Sequence, residues 1–511
     1  MDMIKRTLLL LCLALLCNPA ANAGWLDDVF NNSKKAVRKF MDLGEEKLPR
    51  ITDTDLADYP EHYQFYRVIE PIHQSPLFFV QSKVGNEHKP IVILIHGLGV
   101  AASKDWLSVI PALEKDYHVF ALDLPGFGLS KGVYFKYSPK QYSRIINWFI
   151  DNYAQNKATG KPTLVGHSMG GALSLFFAAT YPNQLKKLVL VDAAGVIRRT
   201  TFIKHLADLD IENHTQSSRL RRFTARVENF SNQVVELTGS LYDPTTLVKE
   251  DGTLRKLTLS GSTNANAALA LMETDFSLLN YPKVAPTQLI WGADDPVAPA
   301  RTGIAIANVL PRAELHFIAD AGHVPMKSKT RQFNQTLLSA LANDPVTVEK
   351  VSPPPNNRIG ECVHDDHTEF SGYYQTLTLN NCKLVKLNNV VAKNFSVNES
   401  YVEILNSVLG ASGNIINIKD SAVMATASTF YGKLVSDDSR FDFSSVDFQA
   451  GEVAFESVDD TLIIISLSNI DSDVYQGMAH GFFELNKGSL DQLLIQELIQ
   501  KPLQESSRKD H

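Results

Sequence analysis

Three things are scarce in this chain: cysteine, an excess of positive charge, and long apolar runs. The 511 residues hold 4 cysteines. Two of these, Cys12 and Cys17, lie in the apolar start, so only Cys362 and Cys382 remain for the rest. Lys and Arg number 49 against 56 Asp and Glu, a net charge of -7. Nothing global therefore attracts nucleic acid. The apolar run after Lys5 and Arg6 is about ten residues, too short to span a bilayer comfortably. What is present is ordinary for a globular protein: 44% hydrophobic and 21% charged residues. That content can bury a large core, and it indicates no bulk disorder. The length exceeds one core of usual size, so two or more domains are expected.

The first segment, MDMIKRTLLLLCLALLCNPAANAG, reads as a secretory signal peptide. Its start is charged, its apolar stretch is short, and Ala21-Asn22-Ala23 is an A-x-A cleavage site. The expectation is a signal over 1–23, and an exported chain that is periplasmic, envelope-associated or secreted. A lipoprotein would need a small residue before its cysteine, but Leu11 and Leu16 stand there. An uncleaved anchor would need a longer apolar run.

In an oxidising compartment, Cys362 and Cys382 are spaced for a disulfide. Two buried free thiols are the alternative. A metal cluster with His364, Asp365, Asp366 and His367 fits no established ligand spacing, so no metal is expected. Residues 24–59 open with an amphipathic stretch. Trp25, Val29, Phe40 and Met41 lie on one side, and Lys34, Lys35, Arg38 and Lys39 on the other. Such a helix packs on its own domain or lies on an anionic membrane surface.

The middle of the chain alternates strands and helices. PIVILIHG and YHVFALDLPGFGLS read as buried parallel strands ending in loops. SPKQYSRIINWFIDNYAQNK has helical spacing in Tyr142, Ile145, Ile146 and Phe149. Then follow KPTLVG (strand), GGALSLFFAATYP (helix), LKKLVLVDAAG, APTQLIWG and AELHFIAD (strands). This alternation predicts a parallel sheet covered on both faces.

Gly166-His167-Ser168-Met169-Gly170 sits between a predicted strand and a predicted helix. G-x-S-x-G in that context is a nucleophile elbow. The turn strains the backbone at the serine, so its neighbours must be small. The hydroxyl then projects at a helix N-terminus, where the Met169 N–H can meet developing negative charge. A serine needs a base to act as a nucleophile. His323, in IADAGHVPM, follows a predicted strand. Asp294 and Asp295, in WGADDPVAP, follow another, and Asp192 in VDAAG is a rival acid. All lie at C-terminal strand ends, where open parallel sheets bind ligands. His316 lies inside a strand and reads as structural.

Residues 60–345 resemble the α/β-hydrolase family. The resemblance rests on HGLG at 96–99, DLPGFGLS at 123–130, GHSMGG at 166–171, WGADDPVAP at 291–299 and GHVP at 322–325. It implies a triad of Ser168, Asp295 and His323, with the acid at the last Asp of W-G-x-x-D. It implies an oxyanion hole from the N–H groups of Leu98 and Met169, and no cofactor. A serine at the elbow resembles esterases, lipases and related acyl or C–C hydrolases. Haloalkane dehalogenases and most epoxide hydrolases carry an aspartate there.

About eighty residues separate VDAAG from APTQLIWG, far beyond an ordinary connection. A helical cap is expected over about 196–280. Its cluster of Arg219, Arg221, Arg222 and Arg226 faces an anionic substrate or is simply a solvated helix face. Residues 346–360 form a proline-rich linker. Over 361–485 short apolar pairs recur: Leu377/Leu379, Val402/Ile404, Ile416/Ile418, Phe441/Phe443 and Ile463/Ile465. A small residue often stands three places later, as at Cys382, Ser407, Ser421 and Ser468. The intervals, roughly 22 to 25 residues with one shorter step, suggest a parallel β-helix, with an antiparallel sandwich as the alternative. A closing helix with a Ser489–Gln492 capping box falls within 486–511.

The expected fold is therefore an α/β-hydrolase sheet with a helical cap, followed by an all-β solenoid. The expected function is an exported serine hydrolase acting on a small-molecule or lipid ester. The alternatives are a C–C bond hydrolase or cofactor-free peroxidase of the same fold, or a catalytically silent binding or adhesion protein. No nucleic-acid partner is expected, and association with the envelope or a membrane surface is left open. Every motif precedes the linker, so residues 24–345 are expected to hydrolyse a small ester alone.

Overall fold

The computed structural model describes residues 50–82, 85–131, 137–155, 160–197, 263–272, 274–346, 353–365 and 367–496. The signal segment, the amphipathic stretch and the cap's arginine cluster lie outside the described residues.

Eight strands form one sheet: β1 (Gln64–Ile69), β2 (Pro76–Gln81), β3 (Ile91–Ile95), β4 (His118–Asp123), β5 (Thr163–His167), β6 (Lys187–Val191), β7 (Thr287–Gly292) and β8 (Ala313–Ile318). Their order is β1-β2-β4-β3-β5-β6-β7-β8. The β1–β2 and β2–β4 pairs are antiparallel, and the others are parallel. β1 and β2 stand outside the strands expected from sequence. β1 has no continuous apolar run, because its residues are only partly buried or exposed.

The pleat divides each central strand between two cores. Ile91, Ile93 and Ile95 enter one cluster, with α1 (Pro139–Tyr153) and α2 (Met169–Thr180). Val92 and Leu94 enter the other, with Trp106, Phe333 and Leu337. β6 repeats the division, Leu188 and Leu190 against Val189 and Val191. This is why the strands read as unbroken apolar runs: both faces are covered. Each such side chain contributes about 1.5–3 kcal/mol when fully buried. Three further helices frame the sheet: α3 (Thr263–Met272), α4 (Ala300–Val309) and α5 (Thr330–Ala342). Of the expected cap, α3 and the short turns after it are described. Buried Lys187 donates from Nζ to the carbonyls of Ala340, Leu341 and Asn343. It thereby satisfies the end of α5, where the helix dipole favours a cation.

The C-terminal region is a parallel β-helix rather than an antiparallel sandwich. Val385 pairs with Val402, then Val423, Phe441 and Ile463, coil upon coil. A second column runs through Ala392, Leu409, Phe430, Phe448 and Ile470. A third runs through Cys362, Leu379, Val397 and Ile418. Corresponding corner residues lie 17 to 22 positions apart. The longer intervals expected from sequence arose because the apolar pairs belong to different faces. Val402/Ile404 and Phe441/Phe443 share one face, whereas Leu377/Leu379 and Ile416/Ile418 lie on another.

Two corners of each coil explain the recurrent small residues. At one, Ser421 Oγ donates to the Lys419 carbonyl and accepts the N–H of Ser400, at 3.1 Å. Ser400 Oγ accepts the N–H of Cys382, and Ser439 Oγ that of Ser421. At the other, Ser407 accepts from Val390 and Ser428 from Ser407. The residue before each corner serine is left-handed: Glu399, Asp420, Asp438, Asn406, Ala427 and Leu467 all have positive φ.

Cys382 takes a serine's place on the first corner and is bonded to Cys362, with Cα atoms 6.5 Å apart. The first strand of the β-helix starts at Ile359, slightly before the boundary expected at 361. At the far end, strand 476–485 adds antiparallel to strand 461–471. A helix over 490–496 then covers the last coil. Ser489 Oγ accepts the Gln492 N–H, and buried Asp491 accepts the N–H groups of Ala454 and Phe455. The β-helix rests against α4 and the turn Phe276–Leu278, and Leu467 is buried with the core of the α/β unit.

Candidate active site

β5 runs straight into α2, and Ser168 is the single residue between them. Its φ of 53° and ψ of -121° place it in a region that L-residues avoid. The glycines around it permit this close packing. A Cβ on Gly166 would lie 2.2 Å from the Gly170 carbonyl oxygen, and one on Gly170 would lie 2.4 Å from that of His96. The chain therefore turns tightly, and the Ser168 hydroxyl stands at the C-terminal edge of the sheet.

His323 follows β8 at the same edge. Its Nε2 lies 2.8 Å from Ser168 Oγ, and its Nδ1 lies 2.8 Å from Asp295 Oδ2. A carboxylate only accepts, so Nδ1 carries the proton and Nε2 is free to accept from the serine. Asp295 follows β7. Its other oxygen accepts the N–H groups of Val297, at 2.7 Å, and Ala298, at 3.0 Å. The carboxylate is thus fixed on both oxygens. Neighbouring Asp294 donates its N–H to the Ala321 carbonyl, at 2.9 Å.

Asp192 follows β6 with a positive φ and is fully buried. Its Oδ1 accepts the N–H of Gly292. Burial, and then the nearby charge of Asp295, push its carboxyl well above the ordinary range. Asp192 lies behind Asp295 with its carboxyl held toward the neutral form, and it is not the residue that meets His323. His316 bonds Gln288 at 2.7 Å, away from Ser168.

The loop after β3 supplies the remaining groups. His96 Nδ1 donates to the Gly97 carbonyl, and its Nε2 accepts the Leu124 N–H. The histidine of HGLG thereby ties two loops together. Gly97 presses so close that an added Cβ would lie 2.9 Å from Ser168 Cβ. Leu98 is the residue after Gly97, and Met169 opens α2 directly after the serine. Two features were not singled out in the sequence. His167 donates from Nε2 to the His323 carbonyl at 2.7 Å. Burial, and then the neighbouring His323, hold His167 down to about 3, so it stays neutral. Asn264 of α3 accepts the Gly99 N–H at 3.1 Å, a contact spanning 165 positions that no local pattern announces.

A nucleophile, a base and an oriented acid at one sheet edge can carry out acyl transfer. Residues 90–330 match the family model for the α/β hydrolase fold. The chain is 27% identical over 262 residues to a 2-hydroxy-6-oxononadienedioate/2-hydroxy-6-oxononatrienedioate hydrolase of Pseudomonas sp, spanning 49% of this chain and 88% of that protein. It is 28% identical over 276 residues to a monoacylglycerol lipase of Xenopus laevis, spanning 52% and 78%. A solved hydrolase from Pseudomonas aeruginosa PA01 is 19% identical, with a TM-score of 0.40, and spans 55% of this chain and 99% of that one. Residues 90–330 therefore carry the α/β-hydrolase fold, and the match supports a hydrolase.

Proposed function

We propose that the protein is an exported serine hydrolase that cleaves carboxylic esters through an acyl-enzyme on Ser168. The observation that carries this reading is the continuous Ser168–His323–Asp295 hydrogen-bond chain at the elbow. In the first half-reaction Ser168 Oγ attacks the ester carbonyl while His323 Nε2 takes its proton. Asp295 holds the imidazole in the required tautomer and balances the imidazolium. The N–H groups of Leu98 and Met169 receive the oxyanion. Collapse expels the alcohol, which takes the proton back from His323. Water, activated by the same histidine, then releases the acid.

Export is supported by the leader-like start and by the Cys362–Cys382 bond, which suits an oxidising compartment. The lipase-named relative supports an acyl ester, including a lipid ester, as substrate. The other relative's name keeps C–C bond hydrolysis as a second reading, because the same three residues could serve it. The test is a fluorophosphonate label, followed by p-nitrophenyl esters of graded acyl length and the dienedioate named for that relative. Labelling with turnover of short esters supports the proposal. Turnover of the dienedioate alone would replace it.

A further inference from the structure

The helix that leaves the acid loop is held by the β-helix at both ends. Arg301, in the first turn of α4, directs its guanidinium across the interface. Nη1 and Nη2 donate to the two oxygens of Asp442, at 2.6 and 3.1 Å. Nη2 also reaches Ser444 Oγ at 2.8 Å, and Nε reaches Thr426 Oγ1 at 3.0 Å. In the last turn, Asn308 Nδ2 donates to Ser445 Oγ at 2.8 Å. Asp442 is 1% exposed, so Arg301 is the charge that balances it. A bidentate, desolvated pair of this kind fixes geometry as well as charge.

The loop between β7 and α4 is short and braced. Trp291 Nε1 donates to the Ala298 carbonyl at 2.7 Å. The Val297 and Ala298 N–H groups hold Asp295. Pro299 then begins α4 directly. Any shift in α4 therefore moves the amides that orient the acid. We propose that Arg301 is a positioning residue: by docking α4 on Asp442, the β-helix sets the orientation of Asp295 toward His323. The β-helix is then part of the catalytic support and not only an appended binding surface. This rests on the serine-hydrolase reading above.

The test compares full-length variants. Asp442→Asn removes the ion pair with little change of shape, and Asp442→Glu keeps the charge. Ser421→Ala weakens the β-helix without touching Arg301, so it controls for domain stability. On a short p-nitrophenyl ester, Asp442→Asn should lower kcat by about tenfold with KM nearly unchanged, because small misalignments of a catalytic group cost rate. Asp442→Glu should recover part of the loss, and Ser421→Ala should leave kcat alone. An Arg301→Gln/Asp442→Asn double variant should be no slower than the worse single variant. Independently of activity, hydrogen exchange over 293–299 should accelerate in Asp442→Asn. If that exchange is unchanged, or if Asp442→Asn lowers melting temperature but not kcat, the inference fails. Absence of labelling and turnover in the wild type would instead sink the serine-hydrolase reading, and the exchange result would still decide whether Asp442 braces the loop.

Discussion

Asp192 and Asp295 share one buried corner in different roles: Asp295 faces His323 Nδ1 at 2.8 Å, and Asp192 faces the backbone of β7. One carboxylate carries the charge that an imidazolium needs. Burial, and then the nearby charge of Asp295, favour the protonated form of the other.

Asp295→Asn should therefore lower kcat by about 10⁴-fold through loss of the imidazole tautomer. Asp294→Asn should change it little. Steady-state kinetics on one ester would compare the two, and a dominant effect at Asp294 would refute the assignment.

Asp192→Asn should keep activity within about threefold, because an amide mimics the neutral acid. Its effect on stability should depend on pH. The ordinary carboxyl value is 3.8 and the folded one lies well above it. Below the ordinary value both states are protonated, so Asp192 contributes its full share. As pH rises, the unfolded carboxyl ionises first and stability is lost until the folded value is passed. The variant lacks this loss. Its melting temperature should gain on the wild type from pH 4 to pH 8 (about four units, through the window set by linkage). A constant difference would show that Asp192 is charged in the fold.

Ser168→Ala should lower kcat by about 10⁶-fold and abolish fluorophosphonate labelling. The melting temperature should hardly move, since alanine keeps the elbow small. Persisting turnover would exclude Ser168 as the nucleophile.

Ser421→Ala should cost about 1–3 kcal/mol, because the buried Ser400 N–H loses its acceptor. Chemical denaturation would measure this. An exposed serine nearby would give much less, so a negligible loss would argue against the corner ladder as a source of stability.

Reduction, or Cys382→Ser, should cost about 3 kcal/mol by the loop-entropy argument. The first coils of the β-helix should bear that loss. Limited proteolysis should cut there first, and cutting elsewhere would place the weak point differently.

The sequence by itself determined the elbow, the strand-end positions of Ser168, Asp295 and His323, and the solenoid character of the last third. Each depends on local chemistry. Buried parallel strands read as apolar runs, an elbow demands small residues around one serine, and a β-helix corner demands a small residue again and again. β1 escaped because a half-exposed edge strand leaves no such run. The choice among Asp192, Asp294 and Asp295 was not local. All three follow strands, so local chemistry did not separate them; the W-G-x-x-D resemblance pointed to Asp295, and the packed sheet places that carboxylate at His323. Asn264 and Arg301 are the clearest cases of what tertiary structure alone decided. Each bonds a group more than a hundred positions away. In the sequence Arg301 is an ordinary helix residue, and Asp442 is an acid between two phenylalanines. Their pairing exists only because folding brings α4 against the β-helix and removes water from both charges.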